Sequence, residues 1–93
     1  MEKSYEYPLL PEWTTDELIS VIDFYVAVEN LYEKGTKRAE FIDKYQKFCQ
    51  IVPAKMTQKQ LDKEFERVSK LSIYRAVKYV QAQSNDFVVY RED

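Results

Sequence analysis

Gly35 is the only glycine, and with Pro8, Pro11 and Pro53 it is nearly all that this chain of 93 residues offers for sharp turns. A small β-sandwich or barrel needs a turn signal every few residues, which this sequence lacks. Helices joined by short connections are the alternative. The expected fold class is therefore all-α, a small compact array of about four helices with an extended N-terminal arm. A chain of this length can bury one core and not two. Residues 1–93 are accordingly read as one helical domain, with 1–13 as the arm and 86–93 as a C-terminal tail. The hydrophobic fraction of 45% is enough to exclude wholesale disorder.

Signals along the chain place the helices. Pro8 and Pro11 deny a helix to the first segment, whose Tyr5, Tyr7, Leu9 and Leu10 suit it to lie over a core. Thr14 and Glu17 have the spacing of a capping box, and Trp13 with Leu18 that of a hydrophobic staple. The first helix should run from there to about Lys34, with Gly35 as a left-handed stop. Asp16, Ser20, Asp23, Ala27, Asn30 and Lys34 fall on one narrow stripe of it, and apolar residues fill most of the remainder. An apolar arc that wide belongs to a central helix or to a subunit interface.

The second helix covers about Lys37 to Ile51 and is ended by Pro53. Thr57 with Gln60 predicts a capping box opening the third helix, and Met56 with Leu61 a staple. Ser72 caps a fourth helix that runs to about Gln83. The predicted core is Leu18, Ile22, Tyr25, Phe41, Tyr45, Phe48, Leu61, Phe65, Val77 and Val80. The stretch Phe87 to Tyr90 has strand composition, but a lone strand finds no partner in a helical domain. It is expected to dock as an extended arm and not as a sheet.

Several short motifs carry a resemblance. Tyr7-Pro8, Trp13, Tyr32-Glu33-Lys34-Gly35, Ile51-Val52-Pro53-Ala54-Lys55, Glu64-Phe65-Glu66 and Ser72-Ile73-Tyr74-Arg75-Ala76-Val77-Lys78 occur in that order. Over about Tyr5 to Lys78 the chain resembles uncharacterised protein family 0223, short proteins of low-GC Gram-positive bacteria. The resemblance implies a small helical fold and brings no activity, cofactor or functional residue with it. Family members carry a glycine and an aromatic just before the last helix, where this chain has Lys70 and Leu71. The resemblance therefore implies a glycine-type helix ending that this sequence departs from.

The chemistry available is sparse. There is no histidine and one cysteine, Cys49. An intrachain disulfide is impossible, the usual zinc and iron–sulfur ligand sets are missing, and so is the commonest general base. Cys49 reads as a core thiol. Glu29 lies within the apolar arc of the first helix with Glu33 one turn on. The pair could share a proton or a hard cation, but Glu29 reads better as a partly buried acceptor for a Lys, an Arg or a Tyr hydroxyl from another helix. No enzyme, metal site or cofactor is expected.

Charge is laid out unevenly. Residues 1–33 hold eight acids and one base, residues 34–85 twelve bases and five acids, and residues 86–93 three acids and one base. Arg67, Lys70, Arg75 and Lys78 follow one another with no acid between them, and Tyr74 stands among them. Tyr74, Arg75, Lys78, Arg67 and Lys70 are thus the candidate interaction surface. A helix-turn-helix pair of the third and fourth helices, binding nucleic acid or the ribosome weakly, is one interpretation. The overall net charge of −2 opposes it, and mutual neutralisation of the acidic and basic parts is preferred. The leading expectation is a non-enzymatic protein-interaction or adaptor module with an unknown protein partner and a possible homodimer through the first helix. The N-terminus has Glu2, Lys3 and Glu6 and no continuous apolar stretch, so neither a secretory signal nor a membrane span is read, and the cytoplasm is expected.

Overall fold

The computed structural model describes residues 7–91, which form α1 (Thr15–Glu33), β1 (Thr36–Lys37), α2 (Arg38–Ile51), α3 (Lys55–Ser69), α4 (Ile73–Ala82) and β2 (Phe87–Val88). The first six residues of the expected arm and the last two of the tail lie outside this range.

The predicted start of α1 is present on both sides of its capping box. Glu17 N–H donates to Thr14 Oγ1 at 3.2 Å, and Thr14 N–H donates to Glu17 Oε1 at 2.9 Å. Trp13 is buried beside the cap. At the other end Gly35 adopts φ +90°, and its N–H donates to the Asn30 carbonyl at 2.6 Å. A Cβ here would lie 2.6 Å from Phe87 Cε2 and 2.8 Å from the Val88 carbonyl oxygen. Glycine is thus required twice, for its backbone angle and for the passage of the tail.

That passage corrects the reading of the tail. Thr36 pairs with Val88 and Lys37 with Phe87 in a small antiparallel sheet. Arg38 N–H donates to the Asp86 carbonyl at 2.8 Å, and Tyr90 N–H to the Leu31 carbonyl at 2.9 Å, so bonds flank the ladder on both sides. The left-handed turn at Gly35 leaves the next two residues extended, and these are the partners the tail lacked in sequence.

The start of α3 is a second correction. It opens at Lys55, with Ala54 in the cap position and no side-chain cap bond, so Thr57 lies inside the helix. Met56, expected to staple, is 73% exposed. Pro53 has already broken α2 and the chain turns at once into the new helix. Gln58 Nε2 fastens this corner by donating to the Val52 carbonyl at 2.6 Å. The Thr-x-x-Gln signal sat one turn too late because an amide further along the helix does the anchoring.

Ser72 caps α4 as expected, accepting from Arg75 N–H at 3.1 Å. Just before it, Lys70 adopts φ 67°, ψ 15°. A left-handed helix ending, the kind glycine usually makes, is therefore adopted here by a lysine. Ser69 supports the turn, its Oγ donating to the Phe65 carbonyl at 2.7 Å and accepting from Leu71 N–H at 3.1 Å.

Val21, Phe24, Tyr25, Ala27, Val28 and Leu31 make α1 the central helix. Ala27 was expected on its polar stripe but is buried; being small, it lets a neighbouring element approach closely. Of the predicted core, Tyr25, Phe41, Phe48, Leu61, Phe65, Val77 and Val80 are buried. Leu18, Tyr45 and Ile22 are only half-buried. Phe24 stacks on Phe48 at 4.8 Å and meets Phe41 edge-on at 5.7 Å, while Tyr25 stacks on Phe65 at 5.0 Å.

Two outcomes follow from this packing. Phe48→Ala should cost about 3–5 kcal/mol, a large share of a small domain's stability, and thermal melts that leave Tm within a degree of the parent would contradict the placement of α2. Lys70→Gly should stabilise by about 0.5–1 kcal/mol, because it removes the Cβ penalty of the left-handed turn at a smaller entropic cost in the unfolded chain. A Tm no higher than the parent's would show that the lysine side chain compensates for its backbone.

Candidate functional site

A concavity opens between the C-terminal half of α2, the first half of α3 and the length of α4. It has a volume of about 370 Å³. Tyr45, Phe48, Ile73 and Val77 give it an apolar floor, and Lys55, Lys59 and Lys78 stand around it with Gln58, Asp62, Tyr74 and Gln81. Helical spacing explains the arrangement. Lys55 and Lys59 are one turn apart on α3, and Tyr74 and Lys78 one turn apart on α4, so each pair stays on one bank. Lys78 Nζ lies 5.9 Å from the centroid of the Tyr74 ring, a cation–π distance.

Asp62 is the one carboxylate in the lining, and it is committed to structure. Its Oδ1 accepts from Ile73 N–H at 2.8 Å, tethering the N-terminus of α4 to α3. Burial raises its pKa, against the opposing pull of the Ile73 and Tyr74 amides and with a smaller push from Glu66. On the floor, burial pushes the Tyr45 phenol up to about 12, and the neighbouring Cys49 thiol adds to the shift. Tyr45 is therefore a neutral hydrogen-bonding group at ordinary pH. Lys55, Lys59 and Lys78 form no ion pair with any described carboxylate.

The five surface candidates do not form one patch. Tyr74, 63% exposed, and Lys78 line the groove. Arg75 is exposed on α4 but outside the lining. Arg67 chelates Glu64 on its own helix, with Nε at 3.1 Å and Nη2 at 3.0 Å, and borders a different hollow, beside Tyr7, Leu9 and Leu61. Lys70 occupies the left-handed turn. Lys55, Lys59, Tyr45, Gln58 and Asp62 were not singled out from sequence. The four-residue spacing of Lys55 and Lys59 was visible, but nothing local connects it to α4.

Glu29 is half-buried and accepts the Tyr7 hydroxyl at 3.1 Å through Oε1 and 3.2 Å through Oε2. The donor is a tyrosine, as one of the expected options, but it comes from the N-terminal arm and not from another helix. No group of three or more His, Cys, Asp or Glu side chains suited to a metal ion occurs among the described residues.

Fold and groove together define a class: a small four-helix protein in which a two-stranded ladder holds the C-terminal tail to the link between α1 and α2, with a groove between α2, α3 and α4 that is apolar below and cationic above. Sequence comparison supplies the family. The model of the uncharacterised protein family UPF0223 matches residues 4–89. A UPF0223 protein of Bacillus cytotoxicus is 49% identical over 73 residues, covering 78% of this chain and 82% of the relative. UPF0223 proteins of Lactococcus lactis subsp. cremoris and Streptococcus agalactiae are 41% and 39% identical over 88 residues, covering 95% of both chains in each case. This chain belongs to the UPF0223 family, and these relatives come from low-GC Gram-positive bacteria.

Asp62 gives a test of the geometry with a defined sign. Because burial holds its folded pKa above the unfolded value, the protonated form favours folding, and that contribution is lost as pH rises through the folded pKa. Asp62→Asn keeps an acceptor for Ile73 N–H without the buried charge. It should match or exceed the parent in thermal melts at neutral pH, with the difference closing in acid. Asp62→Ala should lose about 1 kcal/mol through the lost cap. Equal melts for the Ala and Asn variants would mean that the tether to α4 contributes nothing.

Proposed function

We propose that this protein is a non-enzymatic protein-interaction module, an adaptor working in the cytoplasm, which docks a segment of another polypeptide in the groove between α2, α3 and α4. The observation that carries the reading is the groove itself: an apolar floor for side chains of a partner, ringed by three lysines that no described carboxylate neutralises. Apolar anchors within a polar rim are the usual anatomy of a recognition surface. The groove side chains favour binding over chemistry. Asp62 is held by α4, Tyr45 stays neutral, and the chain has no histidine to serve as a base. No helix among the described residues is long and apolar enough to cross a membrane. Self-association through α1 belongs to the same reading, since Ile19 at 54% and Val26 at 37% exposure face outward from an otherwise buried helix.

One observation favours a second reading, weak nucleic-acid or ribosome binding through α3 and α4. Residues 70–72 join those helices in a tight turn, and Tyr74, Arg75 and Lys78 project from the exposed side of α4. It ranks second because Arg67 is held by Glu64 and the chain as a whole carries −2.

Affinity capture from native cells, run in parallel with the parent and with Lys59→Glu/Lys78→Glu, separates the two. Proteins retained by the parent and lost from the double variant are the expected outcome, with no nucleic acid co-eluting. Identical protein partners on both baits would remove the groove reading. Nucleic acid held by the parent at physiological salt, and released steeply as salt rises, would put the second reading first.

A further inference from the structure

We propose that the groove between α2, α3 and α4 receives the outward face of α1 from a second copy of this chain, joining copies through an acidic helix seated on a lysine-rimmed apolar floor. The inference rests on the reading of the groove as a protein-docking surface and names its occupant.

The occupant is written on α1. Asp16, Ile19, Asp23 and Val26 follow at steps of three and four residues and therefore share one stripe of the helix. All four are exposed, Ile19 at 54% and Val26 at 37%. The result is a ridge of alternating carboxylate and aliphatic side chains. Neither Asp16 nor Asp23 is engaged in an ion pair with a described cation.

The groove complements it term by term. Its floor offers Tyr45 and the small accessible edges of the otherwise buried Phe48, Ile73 and Val77 to Ile19 and Val26, and its banks offer Lys55, Lys59 and Lys78 to Asp16 and Asp23. The lengths agree as well. At ~1.5 Å per residue the α4 bank from Ile73 to Gln81 spans ~12 Å, and the ridge from Asp16 to Val26 spans ~15 Å. A single copy cannot make this contact, because its own α1 is fixed in the core by Phe24 and Tyr25. Across the whole chain the same asymmetry holds, with the first third strongly acidic and residues 34–85 strongly basic. Opposite potentials of this kind steer association between copies. Ridge and groove are different surfaces. Two copies that engage reciprocally close an isologous dimer, and one-way engagement is heterologous and closes as a ring or extends.

The test uses charge reversal in the full-length protein, with sedimentation velocity and light scattering from low to high micromolar concentration. One variant carries Lys55→Glu, Lys59→Glu and Lys78→Glu; the other carries Asp16→Lys and Asp23→Lys. All five positions are exposed, and circular dichroism confirms folding. Milder Lys59→Glu and Asp23→Asn changes stand in if either variant fails to fold. The parent should self-associate, more weakly as salt rises. Each reversed variant alone should associate at least about tenfold more weakly, since like charges now face one another, and an equimolar mixture should restore the complex. A parent that is monomeric at every concentration, or reversed variants that associate as tightly as the parent, would overturn the proposal. If the parent is monomeric yet still captures another protein in a Lys59-dependent way, self-docking fails while the interaction-module reading stands. If groove reversal changes neither mass nor capture, both fail together.

Discussion

Phe24 and Tyr25, adjacent on α1, are the constraint on which the remaining packing depends. Successive residues on a helix point about 100° apart, so two large rings side by side reach different neighbours, with Phe48 lying near both. Phe24 is directed at α2, where it meets Phe41, Tyr45 and Phe48. Tyr25 is directed at α3 and the arm. It stacks on Phe65, lies 5.4 Å from the ring of Tyr7 and donates its hydroxyl to the Pro8 carbonyl at 2.8 Å. One dipeptide thus fixes the positions of three other segments around α1. The Tyr25 hydroxyl also finds a partner, which is what permits so polar a group to sit fully inside.

The groove is a by-product of that packing and of the corner after Pro53. Phe48 faces Phe24 with one side of its ring and lines the groove as well. The start of α3 at Lys55, earlier than its sequence signal, brings Lys55 and Lys59 to the groove edge. Asp62 then fixes α4 against α3. A stability element therefore builds the wall of the groove, and the one carboxylate among the described lining residues is spent on holding it.

The stretch from Phe87 to Tyr90 is secured by a separate device. Tyr79 and Tyr90 stack at 4.8 Å, Tyr32 lies 5.1 Å from Tyr90, and the Tyr79 hydroxyl donates to the Val89 carbonyl at 2.8 Å. With the ladder between β1 and β2, these contacts close the tail over α1 and α4. Tyr25, Tyr32 and Tyr79 thus pack their rings while their hydroxyls donate to main-chain carbonyls.

Local signals in the sequence determined the four helices, the box at Thr14 and Glu17, the stop at Gly35, the break at Pro53 and the cap at Ser72. Each depends on residues within about one turn of one another, and such interactions form in the same way whatever the rest of the chain does. Tertiary structure decided what those signals could not. Ala27, on a stripe read as polar, lies buried in the core cluster. Gln58 overrides the Thr57 box because it can reach Val52 across a corner. Lys70 keeps a glycine's conformation because Ser69 and the entry into α4 hold it. The tail becomes a strand because Thr36 and Lys37 are left extended opposite it. The groove shares this origin: Lys59 and Lys78 are nineteen residues apart in sequence, and only the packing of α3 and α4 around the rings of α1 and α2 makes them neighbours.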